Sequence, residues 1–296
     1  MKRVLITGSN SYIGTSFEKY AKAHYPALFQ IDTVDMIDGS WREKEFGKYD
    51  VVYHVAGIAH ADVGKVTEEI KAKYYAVNTE LAIETATKSK AEGVKQFIFM
   101  SSAIIYGDSA PYGKAKRITK DTEPSPSNVY GDSKWQADKG IRELEDDALR
   151  VCVLRPPMIY GKGSKGNYPT MAKMARKLPV FPDVQNERSM LYIENLCEFL
   201  CQIIINEERG IFWPQNPEYT RTSEMVRLIA EANNHRIRVS KAWNWVVVIA
   251  SHIPGKISRI TNKAFGNLSY DQNMSQYGFN YSEKTLSESI KATEEL

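Results

Sequence analysis

This sequence predicts an α/β fold: a doubly wound parallel sheet with a smaller C-terminal substrate-binding lobe. Three observations lead there. Short β-type runs alternate with helical stretches through the first half, a glycine-bearing turn joins the first such run to the first helix, and after Pro157 the alternation gives way to longer loops. Over 296 residues the hydrophobic content is 43% and the charged content 25%, the balance of a globular chain with a sizeable core.

The elements follow in order. Val4-Leu5-Ile6 is the first apolar run and reads as a strand; Thr7-Gly8-Ser9-Asn10-Ser11-Tyr12-Ile13-Gly14 then opens a helix over residues 13–24. Between strand and helix, Gly8 permits a sharp turn, Gly14 lets the two elements approach, and the helix N-terminus offers free N–H groups to a pyrophosphate. Ser11 stands where the middle glycine of G-x-x-G-x-x-G is usual, with Tyr12 and Ile13 completing the turn. That strand-turn-helix makes the sheet Rossmann-type. Residues 29–34 form a second strand ending near Asp32 and Asp35, about 20 residues beyond the turn, where a carboxylate accepts from the adenosine ribose. Asp35 lies nearer the strand end and is the expected contact, an ordinary turn residue being the alternative. A carboxylate there repels a 2′-phosphate, so NAD(H) is favoured over NADP(H), which is not excluded.

Residues 51–55 supply a third strand, residues 70–91 a helix, and residues 96–100 a fourth strand; a Pro/Ser-rich loop then leads to the helix bearing Val129-Tyr130-Gly131-Asp132-Ser133-Lys134. Residues four apart share a helix face, so Lys134 stands one turn beyond Tyr130. A free tyrosine titrates near ~10. A neighbouring cation lowers that value and makes the phenol an acid/base near neutrality. Ser102, in Ser101-Ser102 after the fourth strand, is the hydroxyl placed to donate to a carbonyl or alkoxide. By spacing alone, an incidental half-buried tyrosine is the commoner reading, and the surrounding motifs reverse it. Residues 151–154 make a fifth strand ending at Arg155-Pro156-Pro157. Helical segments near 168–177, 193–205 and 223–233 follow. Residues 1–157 are thus expected as a dinucleotide-binding domain and residues 158–296 mainly as a substrate-binding lobe, with segments free to return to the main sheet.

The net charge of +3 is spread out, without an arginine-rich stripe, and gives no reason to expect nucleic acid. Three cysteines, Cys152, Cys197 and Cys201, lack metal-ligand spacing; they read as core residues in a reducing, cytoplasmic setting, with no metal expected. Met1-Lys2-Arg3-Val4-Leu5-Ile6 runs straight into a strand, so no signal peptide is expected. The longest apolar run, residues 245–250, is far short of the ~20 residues of a spanning helix. The stretch 243–253 is therefore expected as a buried helix, with peripheral membrane attachment the less favoured alternative.

These pieces in this order resemble the extended short-chain dehydrogenase/reductase superfamily, in particular its nucleotide-sugar epimerases and dehydratases, over nearly the whole chain. His54-Val55-Ala56-Gly57 matches the strand-end motif that borders the cofactor, Asn78 the helix asparagine, and Met100-Ser101-Ser102-Ala103-Ile104-Ile105-Tyr106-Gly107 the S-S-A-x-x-Y-G element. Leu154-Arg155-Pro156-Pro157-Met158-Ile159-Tyr160-Gly161 is similar to the L-R-P-x-x-x-Y-G strand end that abuts the nicotinamide, which places Pro156 there. The resemblance implies Ser102, Tyr130 and Lys134 as the catalytic set, Lys134 also binding the nicotinamide ribose. Asn167, in Gly166-Asn167-Tyr168, matches an asparagine that binds the nucleotide diphosphate. Arg188 stands where the family clamps that diphosphate, and its planar fork suits the task; a solvated loop cation is the plainer alternative. Where the family holds adenine with an Asp and an aliphatic residue, this chain has Ser40-Trp41, so Trp41 either stacks on the adenine or covers it.

The resemblance implies hydride transfer at C4 of a UDP-linked hexose. The stretch Val55 to His60, Gly166-Asn167, the Arg188 segment and Gly266-Asn267-Leu268-Ser269-Tyr270-Asp271 together look more like the short bacterial 4-ketoreductases that make UDP-N-acetylquinovosamine or UDP-N-acetylfucosamine than like full-length UDP-galactose 4-epimerases; His60 is equally a surface residue. A 4-ketoreductase is thus the leading expectation, and a 4-epimerase with tightly bound NAD is the alternative. A 4,6-dehydratase fits less well, because Ala103-Ile104 replace the Asp-Glu that removes water. A non-catalytic NAD(P)-binding regulator is the reading from another class. The family also implies a homodimer through the helices carrying Asn78 and Tyr130.

Overall fold

Strands with no polar face need cover on both sides, and the runs that hold Val4, Val51, Phe97 and Val151 are of that kind. In the computed structural model, which describes residues 1–59 and 66–295, they pair in a parallel sheet. Its strands are β1 (Lys2–Thr7), β2 (Phe29–Val34), β3 (Val51–His54), β4 (Gln96–Met100), β5 (Arg150–Leu154) and β6 (Gly210–Phe212). Across the sheet the order is β2-β1-β3-β4-β5-β6, every pair parallel, with Val4 opposite both Ile31 and Val51 and Ile98 opposite both Tyr53 and Cys152. The chain leaves β1 for β2 on one side and returns to β3 on the other. The carboxyl ends of β1 and β3 therefore border the crevice where such sheets bind ligands.

The helices are α1 (Tyr12–His24), α2 (Glu68–Tyr75), α3 (Leu81–Ala91), α4 (Val129–Arg142), α5 (Asn167–Lys177), α6 (Ile193–Ile205), α7 (Thr222–Ala232), α8 (Asn244–His252), α9 (Lys256–Phe265) and α10 (Leu286–Glu294). Side chains alternate across the sheet with the two-residue period of strands. Val4, Ile6, Tyr53, Ile98 and Cys152 join Phe17 of α1 and Phe199 of α6 in one core. Leu5, Val52, Phe97, Phe99, Val151 and Val153 join Ala82 and Ala86 of α3 and Ala137 and Ile141 of α4 in the other. Both α6 and β6 lie beyond residue 157 yet belong to the main layers. The three cysteines are buried as free thiols.

Two elements depart from the sequence expectation. The helix over 70–91 is broken by a π-turn of five residues, Ala76–Glu80, and the extra residue in that turn directs Asn78 inward, where it is fully buried. The stretch expected as a buried helix is α8, of which only Val247 is buried. The lobe covers one stripe of a helix whose apolar residues run all round it. No helix among the described residues is long and apolar enough to cross a membrane.

Candidate active site

The crevice is built first by close backbone approach. Gly8 leaves β1 with φ of 94°, and a Cβ there would fall 2.9 Å from Ala56 Cα; glycine is required on both counts. At Gly14 a Cβ would fall 2.6 Å from Ser11 Oγ and 3.1 Å from Ile6 Cγ2. Ser11 itself has φ of −70°, and its hydroxyl accepts from Gly14 N at 3.2 Å to cap α1. The backbone at residue 11 makes no demand for glycine. Tyr12 and Ile13 open α1, so their N–H groups belong to the helix end that attracts a pyrophosphate. The Tyr12 hydroxyl is buried without a partner, 2.8 Å from where a Cβ on Gly161 would lie, and burial raises its pKa.

Asp35 is exposed at the end of β2, where it accepts from Ser9 Oγ at 3.2 Å and from Ile37 N at 2.8 Å. Asp32 is instead tied to the Tyr49 hydroxyl at 2.9 Å. A groove of about 420 Å³ continues from there, lined in part by Met36, Gly39, Trp41, Val77 and Leu81. Trp41 is buried against Phe46, and the Arg42 guanidinium sits 4.7 Å from its ring centre while forking onto Glu84 at 2.5 and 2.6 Å. Trp41 is therefore the floor of the groove, with part of its ring already covered.

The strand-end loop after β3 threads between this turn and α4. Val55 lies against Gly14, Ala56 against Gly8, and Gly57 against Lys134, whose Nζ would be 3.2 Å from a Cβ there. Asn78 is wholly engaged in bracing that loop. Its Oδ1 accepts from Ile58 N at 2.9 Å, and its Nδ2 donates to Ile58 O at 3.0 Å and Ser133 Oγ at 3.1 Å. His54 is buried between Phe97 and Phe99 with Nδ1 2.8 Å from Thr7 Oγ1; burial first, and the Lys134 charge second, push its pKa down to about 3 and keep it neutral. His60 lies outside the described residues.

Ser102, Tyr130 and Lys134 converge beyond the end of β4. Asn128 caps α4 by accepting from Gly131 N at 2.8 Å, and at Gly131 a Cβ would fall 2.9 Å from Ile104 O, so glycine allows the helix end to meet the Ser102 turn. Tyr130 neighbours Ser102, whose Oγ accepts from Ile104 N at 3.3 Å, and its ring is tilted 46° to that of Tyr74 with centres 6.1 Å apart. Lys134 is buried and donates to Met100 O at 3.0 Å, with its ammonium 4.9 Å from the centre of the Phe99 ring. Burial pushes the Lys134 pKa down to about 8. It pushes Tyr130 up to about 12, Tyr74 adding to the rise and Ser102 opposing it. The expectation that Lys134 lowers the phenol is thus corrected. Spacing puts the two residues on one face, but the ammonium turns to the Met100 carbonyl.

One group escaped the sequence reading. Asp138, four residues beyond Lys134 on the same face, is fully buried and accepts from Arg155 Nε at 2.9 Å and Nη2 at 2.8 Å, from Arg142 Nε at 3.0 Å and from Ser101 Oγ at 2.9 Å. Arg155 also donates to the Tyr106 hydroxyl at 2.8 Å, while Pro156 O accepts from Ala103 N at 2.9 Å. The end of β5 is thereby fastened on both sides of Ser102. An acid completing the 130, 134, 138 series was the available signal.

On the lobe side, Arg188 is buried, not a solvated cation. Its Nη1 donates to Lys263 O and Gly266 O, both at 3.0 Å, and to Ser109 Oγ at 3.3 Å; burial pushes its pKa down to about 10. Its partners among the described residues are all neutral, and a buried guanidinium lacking a counter-charge suits an anion. Asn167 begins α5, half-buried, its amide making no hydrogen bond among the described residues.

A model of the NAD dependent epimerase/dehydratase family matches residues 4–212. The UDP-glucose 4-epimerase of Vibrio cholerae is 28% identical, over 99% of this chain and 94% of that one. The N-acetyl-alpha-D-glucosaminyl-diphospho-ditrans,octacis-undecaprenol 4-epimerase of Escherichia coli O157:H7 is 27% identical, over 70% and 64%. Among solved structures, the dTDP-4-dehydrorhamnose reductase of Bacillus anthracis in complex with NADP superposes with a TM-score of 0.71 at 18% identity, over 99% and 98% of the two chains. The UDP-glucuronic acid 4-epimerase of Bacillus cereus in complex with NAD gives 0.70 at 14%, over 98% and 96%. At such identities the two structures speak for the fold.

Proposed function

The chain belongs to the NAD dependent epimerase/dehydratase family, and from that premise we propose that it transfers hydride at C4 of a UDP-linked hexose, acting as a 4-ketoreductase. The observation that carries the reading is the convergence of Ser102 and Tyr130 beyond the end of β4, with the phenol pushed up to about 12. A phenol of that value is protonated near neutrality. It is then a donor to the alkoxide that forms when a 4-keto carbon is reduced, while the Ser102 hydroxyl shares the developing charge. The nicotinamide, when bound, supplies the hydride.

The residues present fit that cofactor. Gly8, Ser11, Tyr12, Ile13 and Gly14 form the pyrophosphate turn, Asp35 faces it as ribose acceptor, and Val55, Ala56, Gly57 and Pro156 frame the strand ends with Asn78 behind them. Lys134, beside Gly57, is the ribose donor. Arg188 would clamp the substrate diphosphate, with Asn167 as its second ligand. A cytoplasmic homodimer joined through the helices carrying Asn78 and Tyr130 belongs to the same reading, and light scattering checks its mass.

The Vibrio cholerae relative, aligned over 99% of this chain, favours a second reading as a 4-epimerase, in which the same residues act twice around one retained cofactor. An assay of UDP-sugars and their 4-keto-6-deoxy derivatives separates the two. Stoichiometric NAD(P)H oxidation by a 4-keto substrate supports the reductase. Interconversion of UDP-sugars without added cofactor overturns it in favour of the epimerase.

A further inference from the structure

The α8–α9 hairpin turns an apolar face outward that no other part of the described chain covers. Trp245 and Ile249 on α8, with Ile257 and Ile260 on α9, are 49% to 59% exposed; Trp243 and Ile253 extend the patch. Single exposed apolar residues are ordinary, whereas a contiguous patch marks a docking surface. The hairpin is firmly rooted on its inner side. Asn244 Nδ2 donates to Asp183 O at 2.9 Å, Asn262 Oδ1 accepts from Tyr112 N at 2.9 Å, and Phe265 packs on Phe181 at 5.7 Å.

Charge identifies what the face meets. Between Glu231 and Asp271 stand Arg236, Arg238, Lys241, Lys256, Arg259 and Lys263, without one Asp or Glu. Six of the 39 basic residues and none of the 36 acidic ones fall there, so a chain of net charge +3 is net negative outside this segment. On α9, Lys256, Arg259 and Lys263 follow one another at helical spacing beside the strip of Ile257 and Ile260, and all five are exposed. A second copy on a two-fold axis would bring these cations face to face. An apolar strip flanked by tryptophan and lysine or arginine suits the interface of an anionic bilayer, where indoles settle at headgroup depth and cations meet phosphates.

We propose that the α8–α9 hairpin docks this protein peripherally on an anionic lipid bilayer, with Trp245, Ile249, Ile257 and Ile260 entering the interface and Lys256 and Arg259 engaging the headgroups. The inference stands apart from the hydride-transfer reading. On its inner side the end of α9 holds Arg188 through the carbonyls of Lys263 and Gly266.

The test is co-sedimentation of the full chain with phosphatidylcholine vesicles and with vesicles enriched in phosphatidylglycerol. Binding is expected to the second alone, weakening with added salt. Lys256→Gln and Arg259→Gln should each weaken it by about fivefold. The pair Trp245→Ser and Ile249→Ser should abolish it while circular dichroism and the melting temperature stay unchanged. Absence of binding to the anionic vesicles overturns the proposal. So does self-association that these serine variants abolish in a protein that ignores vesicles, since that outcome gives the face to a second copy.

Discussion

Helix α4 and the α8–α9 hairpin break the ordinary partition of side chains in opposite directions. α4 hides charge: Asp138 is fully buried and Lys134 nearly so. The hairpin displays apolar surface, with indole and isoleucine side chains half in water. A buried charge and an exposed apolar patch are the two informative departures from an otherwise uninformative rule. Their costs differ. Burying charge opposes folding unless hydrogen bonds offset it, as they do fully for Asp138 and only in part for Lys134. Exposing apolar side chains barely affects folding and instead raises the tendency to associate. The buried charges of the first region should therefore weigh on both stability and chemistry, and the exposed face of the second on neither.

The sharpest way to break that contrast is Tyr130→Phe. It should cut kcat/KM on the active UDP-sugar by about 10²–10⁴-fold with little change in melting temperature, and near-normal turnover would reduce the buried face of α4 to a structural role. Next comes Asp138→Asn, which leaves Arg155 buried opposite a neutral amide. Urea unfolding should show a loss of about 3–5 kcal/mol, since breaking a buried ion pair strands the other charge. Asp138 acts as a positioning residue for Ser102, so kcat should fall more than KM rises.

Lys134→Met should run the other way. The ammonium titrates at 10.5 when free and about 8 in the fold, so the folded chain suffers the cost of a buried charge below about 8 and sheds it as pH rises to 10.5. Near neutrality the methionine variant should be more stable by on the order of 3 kcal/mol and inactive. The native protein should gain stability between pH 8 and 10.5, the variant should not, and native activity should decline as the pH climbs through about 8. The smallest effect belongs to the hairpin. Trp245→Ser and Ile260→Ser should each shift unfolding free energy by no more than about 0.5 kcal/mol; a larger loss would mean that the face packs against something in the isolated protein.

The same contrast explains what could be read in the sequence. The strands β1, β3, β4 and β5 are legible as apolar runs bounded by turn residues, and β2 as an alternation of apolar and polar residues in Phe29-Gln30-Ile31-Asp32. Gly210-Ile211-Phe212 is too short to declare itself and becomes β6 only by pairing with β5. The glycine turn, Ser102, Tyr130 and Lys134 lie in local motifs, and the structure brings them to neighbouring strand ends. Asp138 has only its helical spacing from Tyr130 and Lys134 to mark it, because its partner Arg155 arrives from the end of β5. Spacing set Lys134 on the face of Tyr130 but could not say that its amine would choose the Met100 carbonyl. For α8, composition reported an apolar helix and was silent on which side the lobe would leave open.

The serine at position 11 bears on how such chains are searched for. With φ of −70° and its hydroxyl turned onto Gly14 N, Ser11 sits in ordinary backbone, and within this turn only Gly8 and Gly14 are fixed by close approach. A pattern that insists on three glycines filters on a residue name where the backbone imposes no such condition, and it would discard this chain. A pattern that allows a small capping residue in the middle would keep it.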